Sequence, residues 1–373
     1  MFHNYKFKNL DIKLVIAVIA LTIIGIFVIG SANESNQQKQ IIGMILGIIV
    51  MSIMALIDYE FILHFTWIYY VGVIVILALV LVFGDTSGGA TRWIDFGFIR
   101  FQPSELGKIL LILFFSRFLM EHEETINTIK TLAITILLSA IPLFLIEKEP
   151  DLSTTIVTLM IICVMMFVTG LSYKLVGLVL GITIPSIGIL LYMVMQEGQT
   201  ILNEYQGLRI LAWLKPDEYP SSSYQQQNSI MAIGSGQLFG KGLNNDSFES
   251  VKNGNYISEP HTDFIFAVAG EELGFVGSVI IILLLFFITI EILFIAKKAK
   301  DIAGKLICVG MATLIGFQSF VNICVVTGLM PNTGLPLPFV SYGLTSLVTI
   351  YFGIGIVLNV GIQSKNNNGR LFS

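Results

Sequence analysis

Four polar clusters stand out from an otherwise apolar chain, and each suggests chemistry. In SEPHTDFIFAVAGEELG, residues 258–274, Asp263 precedes Glu271 and Glu272. On a helix, Asp263 and Glu271 lie about 80° apart around the axis, so both can face one cavity. A carboxylate near a surface or in a wet cavity can take a proton at neutral pH without a large pKa shift. Thr262 and Asp263 also precede a long apolar run, so either can cap a helix instead. In GDTSGGATRWIDFGFIRFQPSELGK, residues 84–108, Glu105 and Lys108 are spaced to pair on one helix face. Ionisable groups inside an apolar span mark a substrate path or anchor a helix start. Arg92 and Arg100 add cations close by, and Gly88 and Gly89 permit a tight loop. The third cluster, YPSSSYQQQNSIMAIGSGQLFGKGLNN, sets glycines at 234, 236, 240 and 242 around Lys241. Such glycines can turn backbone N–H groups towards a phosphate, with plain flexibility as the competing reading. The fourth, PNTGLPLPFVSYG at 331–343, is too rich in proline and glycine for a regular helix. Broken backbone at membrane depth is tolerated where it is buried in protein or lines a cavity.

The elements that must position these residues follow from composition. Of 373 residues, 55% are hydrophobic and only 12% charged. A soluble domain carries about 25% charged residues. The formal charge of −4 provides no basic field for nucleic acid. Cys163, Cys308 and Cys324 fall in apolar runs, so no disulfide framework is expected. His3, His64, His122 and His261 show no metal-ligand spacing. Lipid cannot hydrogen-bond a free backbone, so only helices or a closed barrel can span it. The apolar runs are long and unbroken, which selects helices. The expected fold is an all-α polytopic membrane protein with ten transmembrane helices: roughly 12–30, 39–57, 66–84, 103–120, 128–146, 152–170, 172–195, 263–296, 302–328 and 338–361. Together they form one integral membrane domain, 1–373, with a large extracellular loop at about 196–262 between the seventh and eighth helices.

Local signals sharpen this. The first span is too long for a signal-peptide core and follows Lys6, Lys8 and Lys13, so it reads as a start-transfer anchor. With the N-terminus inside, twelve basic residues fall in inside segments, against Lys39, Arg92, Arg100 and Lys148 in short outside loops. That bias places both termini in the cytoplasm. Pro103 suits a first helical turn, and Asp151 suits a cap for the sixth helix. Residues 200–214, with Ile201, Tyr205, Leu208 and Leu211 at helical spacing, fit a helix lying on the outer leaflet or buried in the loop. Residues 264–296 would make about 50 Å of helix, longer than the ~30 Å hydrocarbon core, and 273–296 could cross it alone.

RWIDFG at 92–97, FQPSELGK at 101–108, EPDLST at 149–154 and YQQQNSIMAIGSG at 224–236 carry a resemblance. So do GKGLNN at 240–245, HTDFIFAVAGEELG at 261–274 and PNTGLPLPFVSYG at 331–343. In this order they resemble the SEDS family (shape, elongation, division and sporulation), which includes RodA, FtsW and SpoVE. The resemblance implies the SEDS fold and a peptidoglycan glycosyltransferase, most like the elongation type. Such an enzyme polymerises lipid II on the outer face of the cytoplasmic membrane. A GlcNAc 4-hydroxyl attacks a MurNAc anomeric carbon with inversion, and undecaprenyl pyrophosphate leaves.

By motif position the family's essential aspartate falls on Asp263, and its arginine and Glu–Lys pair on Arg100, Glu105 and Lys108. Asp263 would act as base. Arg100 and Lys108 would stabilise the pyrophosphate, and Glu105 would hold Lys108. Arg92, Arg209, Lys241, His261, Glu271 and Ser341 are further candidates for binding substrate. A divalent cation, magnesium or manganese, suits a pyrophosphate, but no ligand cluster demands it. The implied partners are lipid II, the growing glycan strand and a class B penicillin-binding protein. Competing readings are a lipid II flippase, a division- or sporulation-type polymerase, and a scaffold that recruits a synthase. The chain departs from the family pattern at Ser153 and Leu344, both usually glycine, and at Ile257-Ser258-Glu259-Pro260.

Overall fold

The computed structural model describes residues 5–87, 90–95, 97, 100–196, 204–244, 250, 254 and 256–364. Its helices are α1 Ile12–Ala32, α2 Glu34–Leu56, α3 Tyr59–Leu63, α4 Thr66–Phe83, α5 Pro103–Glu121, α6 Ile129–Lys148 and α7 Leu152–Thr169. They continue as α8 Tyr173–Val194, α9 Glu204–Leu214, α10 Pro220–Ser235, α11 Ile265–Lys298, α12 Ile302–Val326 and α13 Leu344–Ile362. Among the described residues, nine helices are long and apolar enough to cross a membrane. The remaining long helix, α5, carries Glu105, Lys108 and Arg117 within its 19 residues. With α5 the long helices coincide with the ten expected spans, and the chain is a multi-pass membrane protein.

Helix ends follow local chemistry. Side chains of Asp11, Thr128, Asp151, Ser172 and Asp301 accept the first free N–H groups of α1, α6, α7, α8 and α12. Pro103 opens α5, where its missing N–H costs no hydrogen bond. The turn expected at Gly88 and Gly89 lies outside the described residues, as does Ile201. Around them the loop after α4 folds into a small antiparallel meander. β1 Asp85–Ser87 pairs with β2 Ala90–Asp95, which pairs with β3 Arg100–Phe101.

The centre of the bundle is α12 and α13, buried along most of their length. α2 approaches α13 so closely that a Cβ on Gly355 would meet the Met51 carbonyl oxygen at 2.6 Å. α8 is peripheral. Only Val194 on it is buried, and its apolar surface suits lipid on nearly every side. α9 is held against the protein, with the Trp213 indole N–H donating to Gly328 O at 2.9 Å. The three cysteines are free thiols.

α11 resolves its excess length by breaking. Its 34 residues are interrupted at Gly274, with φ 66° and ψ −163°, a conformation essentially confined to glycine. The freed backbone groups are satisfied by the loop after α10. Lys241 N and Gly242 N donate to Glu271 O and Glu272 O, while Phe275 N and Val276 N donate to Gln237 O and Leu238 O. The first segment, 265–273, is thereby stitched to that loop rather than stacked on the second.

Candidate active site

Asp263 sits just before α11. It does not cap that helix: the N-cap position is Phe264, with no side-chain cap bond. Instead its carboxylate lies against Gly334, in the broken segment 331–343. A Cβ there would be 3.3 Å from Asp263 Oδ2 and 3.8 Å from Arg209 Nη1. Gly334, at φ 74°, therefore lets backbone pass beside both charged groups. Asp263 keeps partial exposure yet is crowded by protein atoms. That burial pushes its carboxyl up to about 6, against the pull of the Arg209 and Arg92 guanidiniums, with Asp151 and Glu259 adding to the rise. The group is ionised at pH 7 and closer to neutrality than an open carboxylate, a larger shift than a wet surface site implies.

The backbone at Asp263 is fixed carbonyl by carbonyl. Tyr342 N donates to His261 O at 2.9 Å. Ser341 Oγ donates to Thr262 O at 2.7 Å and accepts from Leu337 N at 2.7 Å. Asn322 Nδ2 donates to Asp263 O at 2.8 Å. Ser341, expected at the substrate, is therefore occupied in joining two backbone segments.

Beside this frame opens a cavity of about 510 Å³, lined among others by Lys39, Trp93, Arg100, Glu259, His261 and Tyr342. Thr262, the neighbour of Asp263, also lines it. The meander delivers Trp93 and Arg100. The Arg100 side chain is 66% exposed and pairs with Asp95 at 3.1 Å, which leaves it free to reach an anion. The Gly97 N–H and the Arg100 guanidinium hold the Asp95 carboxyl below its usual range. The His261 ring meets Tyr342 edge-on at 5.4 Å. Burial lowers its pKa, so it is neutral at pH 7 and can donate or accept a hydrogen bond.

Arg92 approaches from below. It donates from Nε to Glu149 O at 3.3 Å and lies 3.7 Å from Asp151 Oδ2. Asp151 is thus at once the α7 cap and a counter-charge for Arg92. The adjacent Glu149 carboxyl is fully buried, and burial followed by Asp151 pushes it up to about 8, so it is protonated at neutral pH.

Three expectations need correction. Lys108 does not reach the cavity: it is 1% exposed, and its Nζ is held by Glu105 Oε1 at 2.7 Å and Gln318 Oε1 at 2.8 Å. A direct phosphate contact is not what this geometry supplies. Lys241 pairs with Glu271 Oε1 at 2.8 Å, and the neighbouring amides bond α11 carbonyls rather than an anion. Glu271 also accepts from Ser250 Oγ at 3.3 Å, so it belongs to this brace, and it does not line the cavity beside Asp263. The break at Gly274 and the loop contacts, rather than helical spacing, decide where it points.

Further polar side chains complete the site. The broken segment is pinned by Gln40 to Ser341 O at 3.1 Å and Ser153 to Thr333 O at 2.6 Å, and Gln226 holds Met330 O, just before it, at 2.7 Å. Gln318 reaches Pro336 O at 2.9 Å, and Asn322 reaches Leu335 O at 2.6 Å. The serine at 153 thus adds a bond that glycine would lack. The available signal is amides in apolar spans, where an unpaired polar group is costly. No three His, Cys, Asp or Glu side chains come together as a metal site among the described residues. The Arg209 and Arg92 guanidiniums and the Asp151 and Glu259 carboxylates all act on Asp263.

The family described as cell cycle protein, comprising FtsW, RodA and SpoVE, matches residues 8–366. The peptidoglycan glycosyltransferase MrdB of Escherichia coli is 34% identical over 363 residues, 96% of this chain and 95% of its own. The probable peptidoglycan glycosyltransferase FtsW of Bacillus subtilis is 33% identical over 382 residues, 97% of this chain and 93% of its own. A chain from a peptidoglycan synthase complex that coordinates polymerization and crosslinking superposes with a TM-score of 0.78 at 29% identity, covering 94% of this chain and 97% of that one. Thermus thermophilus RodA superposes with a TM-score of 0.69 at 26% identity, covering 97% and 98%. The match runs through every motif that builds the site, and the chain belongs to the FtsW, RodA and SpoVE family of cell cycle proteins.

Proposed function

We infer that this protein is a peptidoglycan glycosyltransferase that polymerises lipid II, with Asp263 as general base. The observation that carries the reading is the placement of Asp263. A carboxyl raised to about 6 stands one residue from a cavity lined by Lys39, Arg100, Trp93 and Tyr342. A base with its pKa close to the working pH is effective in proton transfer. The acceptor 4-hydroxyl gives its proton to the carboxylate while its oxygen bonds the donor's anomeric carbon. The bond from that carbon to pyrophosphate breaks with inversion, and polyprenyl pyrophosphate leaves with the electron pair. Arg100 and Lys39 are placed to meet that developing charge. The aromatic walls suit sugar rings.

The opposite end of the bundle favours catalysis over transport. Tyr59 donates to Asp301 at 2.8 Å, Lys300 pairs with Glu60 at 2.9 Å, and Asn359 donates to Ala55 O at 2.8 Å. This polar knot, at the end of the bundle away from the cavity beside Asp263, suits an enzyme working at one membrane face. We place that face outside and both termini inside, with residues 1–373 as one domain and about 196–262 as its extracellular part. We assign the elongation role on the likeness to MrdB, and a class B penicillin-binding protein as partner on the likeness to a synthase complex. The test is polymerisation in detergent, where no second compartment exists. Glycan strands from purified protein and partner support the reading, and strands that require sealed vesicles would support a flippase.

A further inference from the structure

Lys108 and Asp263 do not touch, yet two sets of hydrogen bonds, joined through the backbone of Leu335 and Pro336, connect their surroundings. On α12, Gln318 and Asn322 are one turn apart on the same face, and each is 1% exposed. Gln318 accepts from Lys108 Nζ through Oε1 at 2.8 Å and donates through Nε2 to Pro336 O at 2.9 Å. Asn322 Nδ2 donates to Leu335 O at 2.6 Å and to Asp263 O at 2.8 Å. Leu335 and Pro336 directly follow Gly334, the residue against which the Asp263 carboxylate rests.

We propose that Gln318 and Asn322 are positioning residues for the reaction. They clamp segment 334–336 and the Asp263 backbone to α12, and the Glu105–Lys108 pair serves to lock Gln318. This inference rests on Asp263 being the base.

The physical case is one of satisfaction and reach. Two adjacent carbonyls in a proline-containing segment cannot join a helix ladder, so side chains must satisfy them. An amide donates and accepts at once, so Gln318 can accept a hydrogen bond from the ammonium on one side and donate one to the loop on the other. Lys108 fixes which end of the amide faces which neighbour. Asn322 then sets where the Asp263 backbone lies relative to Gly334. The carboxyl itself faces Arg209 from α9 and Arg92 from β2. Asp151 at the head of α7 and Glu259 upstream add negative charge. Releasing Asp263 O lets the carboxyl move out of this crowd towards water.

The test uses the purified chain with its transpeptidase partner and lipid II. Asn322→Leu is expected to lower kcat about 10- to 100-fold, the scale of an ångström-sized misplacement, with KM within about twofold. The acid limb of its pH–rate profile should move down towards the ordinary carboxylate range. Gln318→Glu conserves shape and keeps an acceptor for Lys108, but its ionised form loses the donor to Pro336 O. It should lose kcat as Gln318→Met does. Asn322→Asp keeps the side-chain volume and serves if the leucine variant does not yield monodisperse protein. Wild-type kcat and an unmoved acid limb in any folded variant at 322, or wild-type kcat in Gln318→Glu, would overturn the proposal. Asp263→Asn in the same assay separates the failures. Turnover by that variant removes the base assignment itself, whereas its inactivity beside a normal Asn322→Leu removes only the positioning role.

Discussion

Replacing Lys108 by Met removes a charge that the structure places in no contact with the cavity. Its Glu105 partner is 4% exposed and, among the described residues, keeps a side-chain bond from Ser346 Oγ at 3.4 Å. Removing one partner of a buried ion pair leaves an uncompensated charge and costs about 3–5 kcal/mol. Neutralising both partners with side chains of similar volume is often nearly neutral. Lys108→Met alone should therefore lower the unfolding free energy by about 3–5 kcal/mol, and Glu105→Gln with Lys108→Met should recover most of that loss. The assay is denaturant unfolding of detergent-purified protein followed by tryptophan fluorescence, paired with steady-state polymerisation. KM for lipid II in the double variant should stay within about twofold, because Lys108 is buried and does not line the cavity, while kcat reports the freed Gln318. A Lys108→Met protein with wild-type stability and a KM raised tenfold or more would refute this reasoning, since it would put the ammonium on the pyrophosphate.

Other outcomes follow from particular contacts. Gly274→Ala places a side chain at φ 66°, 2.2 Å from Gly240 N, and should destabilise by about 2–5 kcal/mol through strain and overpacking, read by the same unfolding assay. The base must be ionised, so kcat/KM should rise with pH through about 6 and level off above it; at pH 5 it should be about a tenth of the plateau. A profile already flat at pH 5 would show the carboxyl unshifted. Arg100→Ala, at an exposed side chain lining the cavity, should raise KM more than it lowers stability, with unfolding unchanged within about 0.5 kcal/mol.

Much of the bundle is legible because lipid imposes its own grammar on sequence. An unbroken apolar run of sufficient length has few structural choices, and the long helices appear where such runs lie. The excess length after Asp263 is legible, but the break at Gly274 that resolves it is not. Asp151 is legible as a cap because its bond to Thr154 is local. The site is less legible because it is assembled over long separations. Trp93 and Arg100 sit in a glycine-rich stretch that masks a meander, and strand pairing is a property of partners. Lys241 and Glu271 carry the charges of a binding site, yet the loop turns them onto each other. Gln318 and Asn322 stand in an apolar helix with nothing local to mark their targets. Their bonds reach Lys108 and the broken segment only after α5, α11 and α12 have come together.

The central claim is that Asp263 takes the proton that makes each glycosidic bond. The most direct measurement is the glycan product formed from lipid II by purified wild-type and Asp263→Asn proteins, each with the same partner and matched for thermal stability. Polymer from the wild type and none from the asparagine variant is the predicted result. Glycan strands of wild-type length and rate from folded Asp263→Asn would contradict it.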